Sequence, residues 1–148
     1  MRLYRRILHP TDFSRASRRA FECAVALARR DRAELLLLHV LSPSALFVGD
    51  GYVTVETWQR IEAGARRSAE SRMKVALARA RRAGGRASAM LVEGVAFERI
   101  VRTAKTKRAD LIVIGTHGRT GISRLFIGSV AERVVRLAPC PVLTVRGR

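Results

Sequence analysis

The stretch from Gly115 to Ser129, GTHGRTGISRLFIGS, contains the residues best suited to binding chemistry in this chain. Its glycines, at positions 115, 118, 121 and 128, allow the backbone to turn sharply and to approach a ligand closely. A helix is predicted to begin at Ser129, and the free N–H groups at a helix N-terminus attract anions. The stretch therefore favours binding of a nucleotide polyphosphate.

The glycine spacing is Gly-x2-Gly-x9-Gly-Ser, formed by Gly115, Gly118, Gly128 and Ser129. It differs from two better-known phosphate-binding motifs. The chain has no Gly-Lys-Ser/Thr sequence, and no Gly-x-Gly-x-x-Gly follows its first predicted strand. The spacing therefore supports neither a P-loop NTPase nor a dinucleotide-binding dehydrogenase.

Apolar runs alternate with helical periodicity along the chain, which predicts five strands and four helices. The predicted strands are Tyr4 to His9, Glu34 to Val40, Ala87 to Val92, Leu111 to Ile114 and Val142 to Arg146. The predicted helices are Ser14 to Arg30, Glu56 to Ala83, Ala96 to Thr106 and Ser129 to Leu137. This alternation predicts an α/β fold: a single doubly wound domain over residues 1–148, with a five-stranded parallel sheet in the order 3-2-1-4-5 and four helices on its two faces.

In that strand order, the first and fourth strands lie side by side where the winding reverses. Ligands of such sheets bind beyond the carboxyl ends of the strands at that point. The segment His9-Pro10-Thr11-Asp12 follows the first strand, and Gly115 to Ser129 follows the fourth. The topology therefore predicts that these two segments meet at one site.

Four blocks of sequence, in the right order and spread over almost the whole chain, resemble the universal stress protein family, and specifically its ATP-binding branch. They are Ile7-Leu-His-Pro-Thr-Asp-Phe-Ser14, Leu37-Leu-His-Val40, Ala109-Asp-Leu-Ile-Val-Ile-Gly-Thr-His-Gly118, and Gly128-Ser-Val-Ala-Glu132 continuing through Ala138-Pro-Cys-Pro-Val-Leu143. Two positions depart from the family pattern. His9 stands where an apolar residue is common, and Val95 stands where a proline often follows the Gly94 turn.

The resemblance implies a residue-by-residue nucleotide site. Asp12 is expected to face the adenosine part of the ligand, Pro10 and Thr11 to shape the pocket, and the Val40 backbone to meet the adenine edge. The ribose and phosphates are expected to lie against Gly115, His117, Gly118 and Arg119. The phosphate cradle is expected to be completed by Gly128, Ser129 and Val130.

Plainer roles stay open for several of these residues. Ser129 and Glu132 match a capping box, Ser-x-x-Glu, and this role is compatible with a phosphate contact. Asp12 could instead cap the first helix. The side chains of Arg119 and Arg124 are natural phosphate partners, or else solvated surface groups.

A transition-metal site formed by Asp12 with the three histidines, His9, His39 and His117, is not favoured. Strand alternation is expected to place His9 and His39 in different layers of the sheet. We therefore predict no protein-bound metal. A Mg²⁺ ion carried by the nucleotide is compatible with the site, because it needs only one or two protein oxygens.

The chain has 29 Lys and Arg against 12 Asp and Glu, a formal net charge of +17, which raises nucleic acid or an acidic membrane as a partner. The arginines are spread over nearly every predicted helix, and aromatic residues, at 5%, are too few for a stacking platform. Nucleic-acid binding is therefore not favoured. No apolar run approaches the ~20 residues of a membrane span, and the two cysteines form no disulfide framework, so we expect a soluble cytoplasmic protein.

The leading functional expectation is an ATP-binding stress-response regulator without catalytic residues. Only His117 could titrate near the γ-phosphate, so at most slow hydrolysis or autophosphorylation is expected. The alternatives are a nucleic-acid-associated protein or a structural assembly module with a vestigial pocket. By resemblance to the family, the apolar strand Val142 to Val145 is expected to pair with its copy in a homodimer.

Overall fold

The computed structural model describes residues 3–42, 54–116 and 128–147, and it confirms the predicted fold. Its elements in chain order are β1 (Arg6–Pro10), α1 (Arg15–Asp31), β2 (Glu34–Leu41), α2 (Val55–Arg82), β3 (Arg86–Glu93), α3 (Ala96–Thr106), β4 (Leu111–Gly115), α4 (Ser129–Leu137) and β5 (Val142–Val145). All strand pairs are parallel, and the sheet order is β3-β2-β1-β4-β5. None of the helices in the described ranges is long and apolar enough to cross a membrane.

The largest boundary error lies at the start of the chain. β1 was predicted from Tyr4 but begins at Arg6. The reason is that Asp31, at the end of α1, accepts the backbone N–H groups of Leu3 and Tyr4 at 3.1 and 2.9 Å. These donors therefore bond to a side chain instead of entering a strand ladder.

The core has two apolar layers, one on each face of the sheet. Residues that alternate along the strands face α1 and α2 on one side, and α3 and α4 on the other. The first layer includes Ile7, Leu35, Leu37, Leu111 and Val113 with Phe21 and Met73. The second layer includes Leu8, Leu36, Leu38, Ile112 and Ile114 with Ile100 and Val134. Burial on both faces explains the unbroken apolar runs in the sequence.

Basic side chains gather at the edge of the sheet where the strands begin. Each of α1, α2 and α3 returns the chain to this edge, so residues at the helix ends lie near those that open the strands. The exposed basic residues there are Arg5, Arg6, Arg29, Arg30, Arg32, Arg81, Arg82, Arg86, Lys105, Lys107 and Arg108. The Asp110 carboxylate at this edge accepts the backbone N–H groups of Arg5 and Arg6 at 2.6 and 2.8 Å. The arginines that look dispersed in the sequence are therefore partly concentrated in space.

Gly115, at the carboxyl end of β4, lies directly against α1. A Cβ atom at this position would lie 3.0 Å from the carbonyl carbon of Ala16 and 3.1 Å from the backbone nitrogen of Ser17. The backbone of a helix cannot move aside as a flexible side chain can. Close packing of β4 on α1 therefore favours glycine here even without a ligand.

Replacing Gly115 with alanine should lower the free energy of unfolding by about 1–3 kcal/mol, because the added methyl group overpacks the β4–α1 contact. Gly64→Ala is the matched control. Gly64 lies inside α2, and a Cβ atom placed there would have nothing within 4 Å, so alanine should stabilise the helix by roughly 0.5–1 kcal/mol. Urea denaturation measures both changes. Equal effects of the two substitutions would contradict the close approach.

Candidate functional site

The site predicted from the topology lies where β1 and β4 end side by side. The register between these strands runs only through Ile7↔Leu111 and Leu8↔Ile112. Beyond it, β1 stays paired with β2, and β4 stays paired with β5 as far as Gly115↔Val145. The winding of the sheet reverses at this pair of strands, which is the usual position of a ligand in such folds.

The chain returns to this point after the segment that follows β4. The N–H of Gly128 donates to the carbonyl of Thr116 at 2.5 Å, and the N–H of Thr116 donates to Val145 at 3.0 Å. The N-terminus of α4 is thereby fixed beside the carboxyl end of β4. Residues 117–127 lie outside the described residues, and with them the candidate ligand residues His117, Gly118, Arg119 and Arg124.

The turn between β1 and α1 is held by its own polar side chains. The Thr11 hydroxyl oxygen accepts the Phe13 N–H at 3.1 Å and the Ser17 hydroxyl at 2.7 Å. Asp12 accepts the Ser14 N–H at 2.9 Å, and Ser14 accepts the Ser17 N–H at 3.2 Å. Ser14 is thus the N-cap of α1. Of the two roles left open for Asp12, the helix cap belongs to Ser14 instead.

Phe13 gives this turn an unusual backbone. Its φ of 64° lies in the left-handed region, which is rare for a bulky residue and commonly marks a functional turn. The Phe13 ring packs on the His39 ring with centroids 4.6 Å apart, and His39 Nδ1 lies 2.7 Å from the Thr11 carbonyl oxygen. These contacts hold the segment that carries Asp12 in one conformation.

A cavity of about 430 Å³ opens at the same edge of the sheet, among the end of β2 and the first turns of α3 and α4. This volume is within the usual range for small-molecule sites. The lining residues are Ser42, Gly94, Val95, Ala96, Phe97, Ser129, Val130 and Arg133. The Arg133 guanidinium carbon lies 4.7 Å from the centroid of the Phe97 ring. The cavity therefore combines apolar surface, a cation and two helix N-termini.

The capping box predicted at Ser129 is wrong. Gly128 is the N-cap of α4 and has no side chain with which to cap it, and Ser129 is already a helical residue. Glu132 instead approaches Arg136, with an O···N distance of 3.8 Å. The N-cap of α3, Val95, also lacks a side-chain hydrogen bond. Neither N-cap residue therefore contributes a side-chain hydrogen bond to the first N–H groups of its helix.

The prediction that His9 and His39 occupy different layers is also wrong. His9 pairs in register with Leu37, which lies two residues before His39 on β2 and so on the same face of the sheet. His9 contacts Phe21 of α1, with ring centroids 5.9 Å apart. Both histidines therefore belong to the layer covered by α1 and α2.

His9 is buried and electrically neutral. Its Nδ1 donates to the carbonyl of Val113 across the β1–β4 boundary at 2.9 Å. Burial lowers the pKa of the imidazole from its usual 6.5 to about 4, although the bond to Val113 and the nearby Asp12 carboxylate oppose the shift. The ring thus stays uncharged across the physiological range.

Metal-ligand clusters are not found in the described portion of the chain, where no three His, Cys, Asp or Glu side chains come together. Cys23 and Cys140 are free thiols. Burial, followed by the charge of Asp110, raises the pKa of the Cys140 thiol, which disfavours the reactive thiolate.

Of the other predicted site residues, some line the cavity and others do not. Ser129 and Val130 line it. Pro10 is buried at the end of β1, and Val40 is half-buried on β2, two residues before the lining residue Ser42. The cavity wall formed by Ala96, Phe97 and Arg133 was not foreseen. In the sequence, only the Gly94 turn before α3 indicates this wall of the cavity.

The family model described as "Universal stress protein family" matches residues 3–146. The chain belongs to this family. Universal stress protein MJ0531 of Methanocaldococcus jannaschii is 38% identical over 144 residues, which cover 97% of this chain and 83% of that protein. A universal stress protein of Thermus aquaticus is 35% identical over 144 residues, covering 97% of this chain and all of the relative.

Solved structures share the fold of this universal stress protein. MJ0577, described as a test case for assigning biochemical function from structure, matches with a TM-score of 0.85 and 27% identity, covering 99% of this chain and 98% of that one. The Archaeoglobus fulgidus universal stress protein in complex with dAMP matches with a TM-score of 0.65 and 25% identity, covering 97% and 98% of the two chains. That relative therefore binds an adenine nucleotide.

Stability should depend on His9 between pH 6.5 and about 4. In this window the unfolded chain protonates the imidazole, whereas the folded protein keeps it neutral, so stability is complete above pH 6.5 and falls as the pH is lowered. The difference in pKa corresponds to roughly 3 kcal/mol at most. Urea denaturation at about pH 7.5 and about pH 4.5 measures the change. His9→Leu should show a smaller loss than the wild type, and an equal loss in both proteins would contradict the assignment.

Proposed function

We propose that this universal stress protein binds ATP at the edge where β1 and β4 end, and that it acts as a nucleotide-dependent stress-response regulator. The observation that carries the proposal is the cavity between two helices whose N-cap residues, Val95 and Gly128, provide no side-chain cap. In such a regulator, nucleotide binding is itself the functional event. We place it in the cytoplasm, where ATP is abundant.

The phosphates are proposed to lie at the N-terminus of α4. The N–H groups at this helix terminus and the helix dipole favour an anion there, and the Ser129 hydroxyl can donate to it. Arg133 lies one turn further along α4 and lines the same cavity. By family resemblance, Gly115, His117, Gly118 and Arg119 complete this part of the site, together with Gly128 and Val130.

The adenosine is proposed to lie toward β1 and β2. There the Asp12 carboxylate is oriented by the Ser14 N–H, and Pro10 and Thr11 form the adjoining turn. The Val40 backbone precedes Ser42 at the cavity. The Archaeoglobus fulgidus relative with bound dAMP supports an adenine ligand for this fold. A carboxylate is better placed beside ribose or base than beside phosphate, because like charges repel.

The chemistry expected of the bound nucleotide is limited. We propose no catalytic residue and no resident metal ion, and Mg²⁺ would enter with the ATP phosphates, with the Ser129 hydroxyl as an available oxygen ligand. Since His117 is the sole candidate base near the γ-phosphate, hydrolysis or autophosphorylation would be slow at most.

Ser129→Glu should weaken ATP binding by at least about 100-fold, because it places a carboxylate where the phosphates are proposed to lie. An acidic residue in the first turn of a helix favours the fold, so the free energy of unfolding should stay constant or rise by about 0.3–1 kcal/mol. Isothermal titration calorimetry on nucleotide-stripped protein, with and without Mg²⁺, measures the affinity.

Ser68→Glu provides the matched control, because Ser68 is exposed on α2 and does not line the cavity. This variant should bind ATP as the wild type does. Folded wild-type protein without saturable ATP binding would overturn the proposed function. Unchanged affinity in Ser129→Glu would overturn the placement of the phosphates at α4.

We also propose a homodimer formed through β5, which ends the strand order of the described sheet. Pro141 and Val145 accept the N–H groups of Ile112 and Thr116, so the backbone of Thr144 faces the open side of the strand. Leu143, 38% exposed, and two exposed residues of α4, Val135 and Leu137, provide apolar surface nearby. An unpaired apolar edge of this kind favours pairing with a second copy.

Thr144→Pro should convert the dimer into a monomer. Proline removes an N–H that faces the partner strand but none that donates to β4, so the sheet should survive. Size-exclusion chromatography with light scattering should give about twice the 16.4 kDa of one chain for the wild type and a single-chain mass for the variant. A monomeric wild type at micromolar concentration would contradict the proposed dimer, and circular dichroism checks that the variant is folded.

A further inference from the structure

The hydrogen-bond ladder between β1 and β4 stops early for an identifiable reason. On β4, the N–H of Ile112 donates to Pro141 beside β5, so the backbone of the next residue, Val113, faces β1. On β1, the N–H of Thr11 donates to Leu38 of β2, so the backbone of the preceding residue, Pro10, faces β4. The next backbone hydrogen bond between the two strands should therefore join Val113 and Pro10.

Proline cannot make the expected bond. With Leu8 opposite Ile112, the carbonyl of Val113 is positioned to accept the N–H of residue 10. Pro10 has no N–H. Val113 is fully buried, and an unpaired carbonyl in such surroundings costs as much as a lost hydrogen bond. Another donor is required.

His9 supplies that donor. Its Nδ1 lies 2.9 Å from the Val113 oxygen, and its side chain has no exposed surface. The other ring nitrogen, Nε2, has no hydrogen-bond partner among the described residues. Among the described residues, the ring therefore makes a single polar contact. This contact links the last residues of β1 to β4.

We propose that His9 is a positioning residue of the nucleotide site, whose imidazole replaces the N–H missing from Pro10 and so fixes the separation between the ends of β1 and β4. The inference rests on the proposed function, because these two ends carry Thr11 and Asp12 on one side and Gly115 and Thr116 on the other. His9 acts through these neighbours and need not touch the ligand.

Two substitutions of His9 separate its hydrogen bond from its bulk. His9→Leu removes the donor and should weaken ATP binding about tenfold. His9→Asn keeps an amide nitrogen the same number of bonds from the backbone as Nδ1, so it should recover most of that affinity although it fills less space. A role in packing alone would make the asparagine variant the more damaged of the two, because leucine is larger and apolar.

The Pro10→Ala substitution provides an independent rescue. It restores a backbone N–H at residue 10 that can donate to Val113. Four proteins are compared by calorimetry with ATP: wild type, His9→Leu, Pro10→Ala and the double variant. Both the double variant and its reference, Pro10→Ala, lack the proline ring, so any direct contribution of that ring to ATP binding cancels in the comparison. The double variant should bind within about threefold of Pro10→Ala alone, and the restored amide at position 10 should show slow hydrogen exchange.

The outcomes distinguish the two proposals. If wild-type protein binds ATP but His9→Leu binds it equally well, or if the double variant loses the full tenfold, the role of His9 is overturned and the nucleotide site stands. If folded wild-type protein binds no ATP, the proposed function is overturned, and the positioning role falls with it. Recovery of affinity both in His9→Asn and through the restored N–H supports the proposal.

Discussion

A buried strand end must find partners for its backbone groups, and this constraint shapes the site. Between β1 and β4 the regular ladder ends at Leu8 and Ile112, because Pro10 cannot donate. The strands remain paired with their outer neighbours, and a histidine side chain satisfies the carbonyl left over on β4. At the point where the winding reverses, a side chain therefore replaces a regular backbone hydrogen bond of the sheet.

The supply of hydrogen-bond partners also differs between the turn after β1 and the helices at the cavity. In the turn after β1, the side chains of Thr11, Asp12 and Ser14 accept backbone N–H groups, whereas the N-cap residues of α3 and α4 provide no side-chain cap. This contrast fits an anion at the helices and a neutral sugar or base near the turn.

The fold could be predicted from the sequence because its signals are local. Unbroken apolar runs such as Leu35 to Leu38 mark strands buried on both faces, and helical periodicity marks the segments between them. Much of the site could not be predicted, since it depends on which partner each polar group selects in space. Ser129 and Glu132 match a capping motif, yet Gly128 caps the helix. The shared face of His9 and His39 follows from the register between strands, which no single segment encodes.

The basic side chains at the edge where the strands begin make the charge distribution of the molecule uneven. This edge lies at the opposite end of strands up to eight residues long, so roughly 25 Å separate it from the cavity. That distance is about three Debye lengths at physiological ionic strength. The charge of this edge is therefore largely screened from the cavity, and a ligand bound there would respond chiefly to the nearby Arg133.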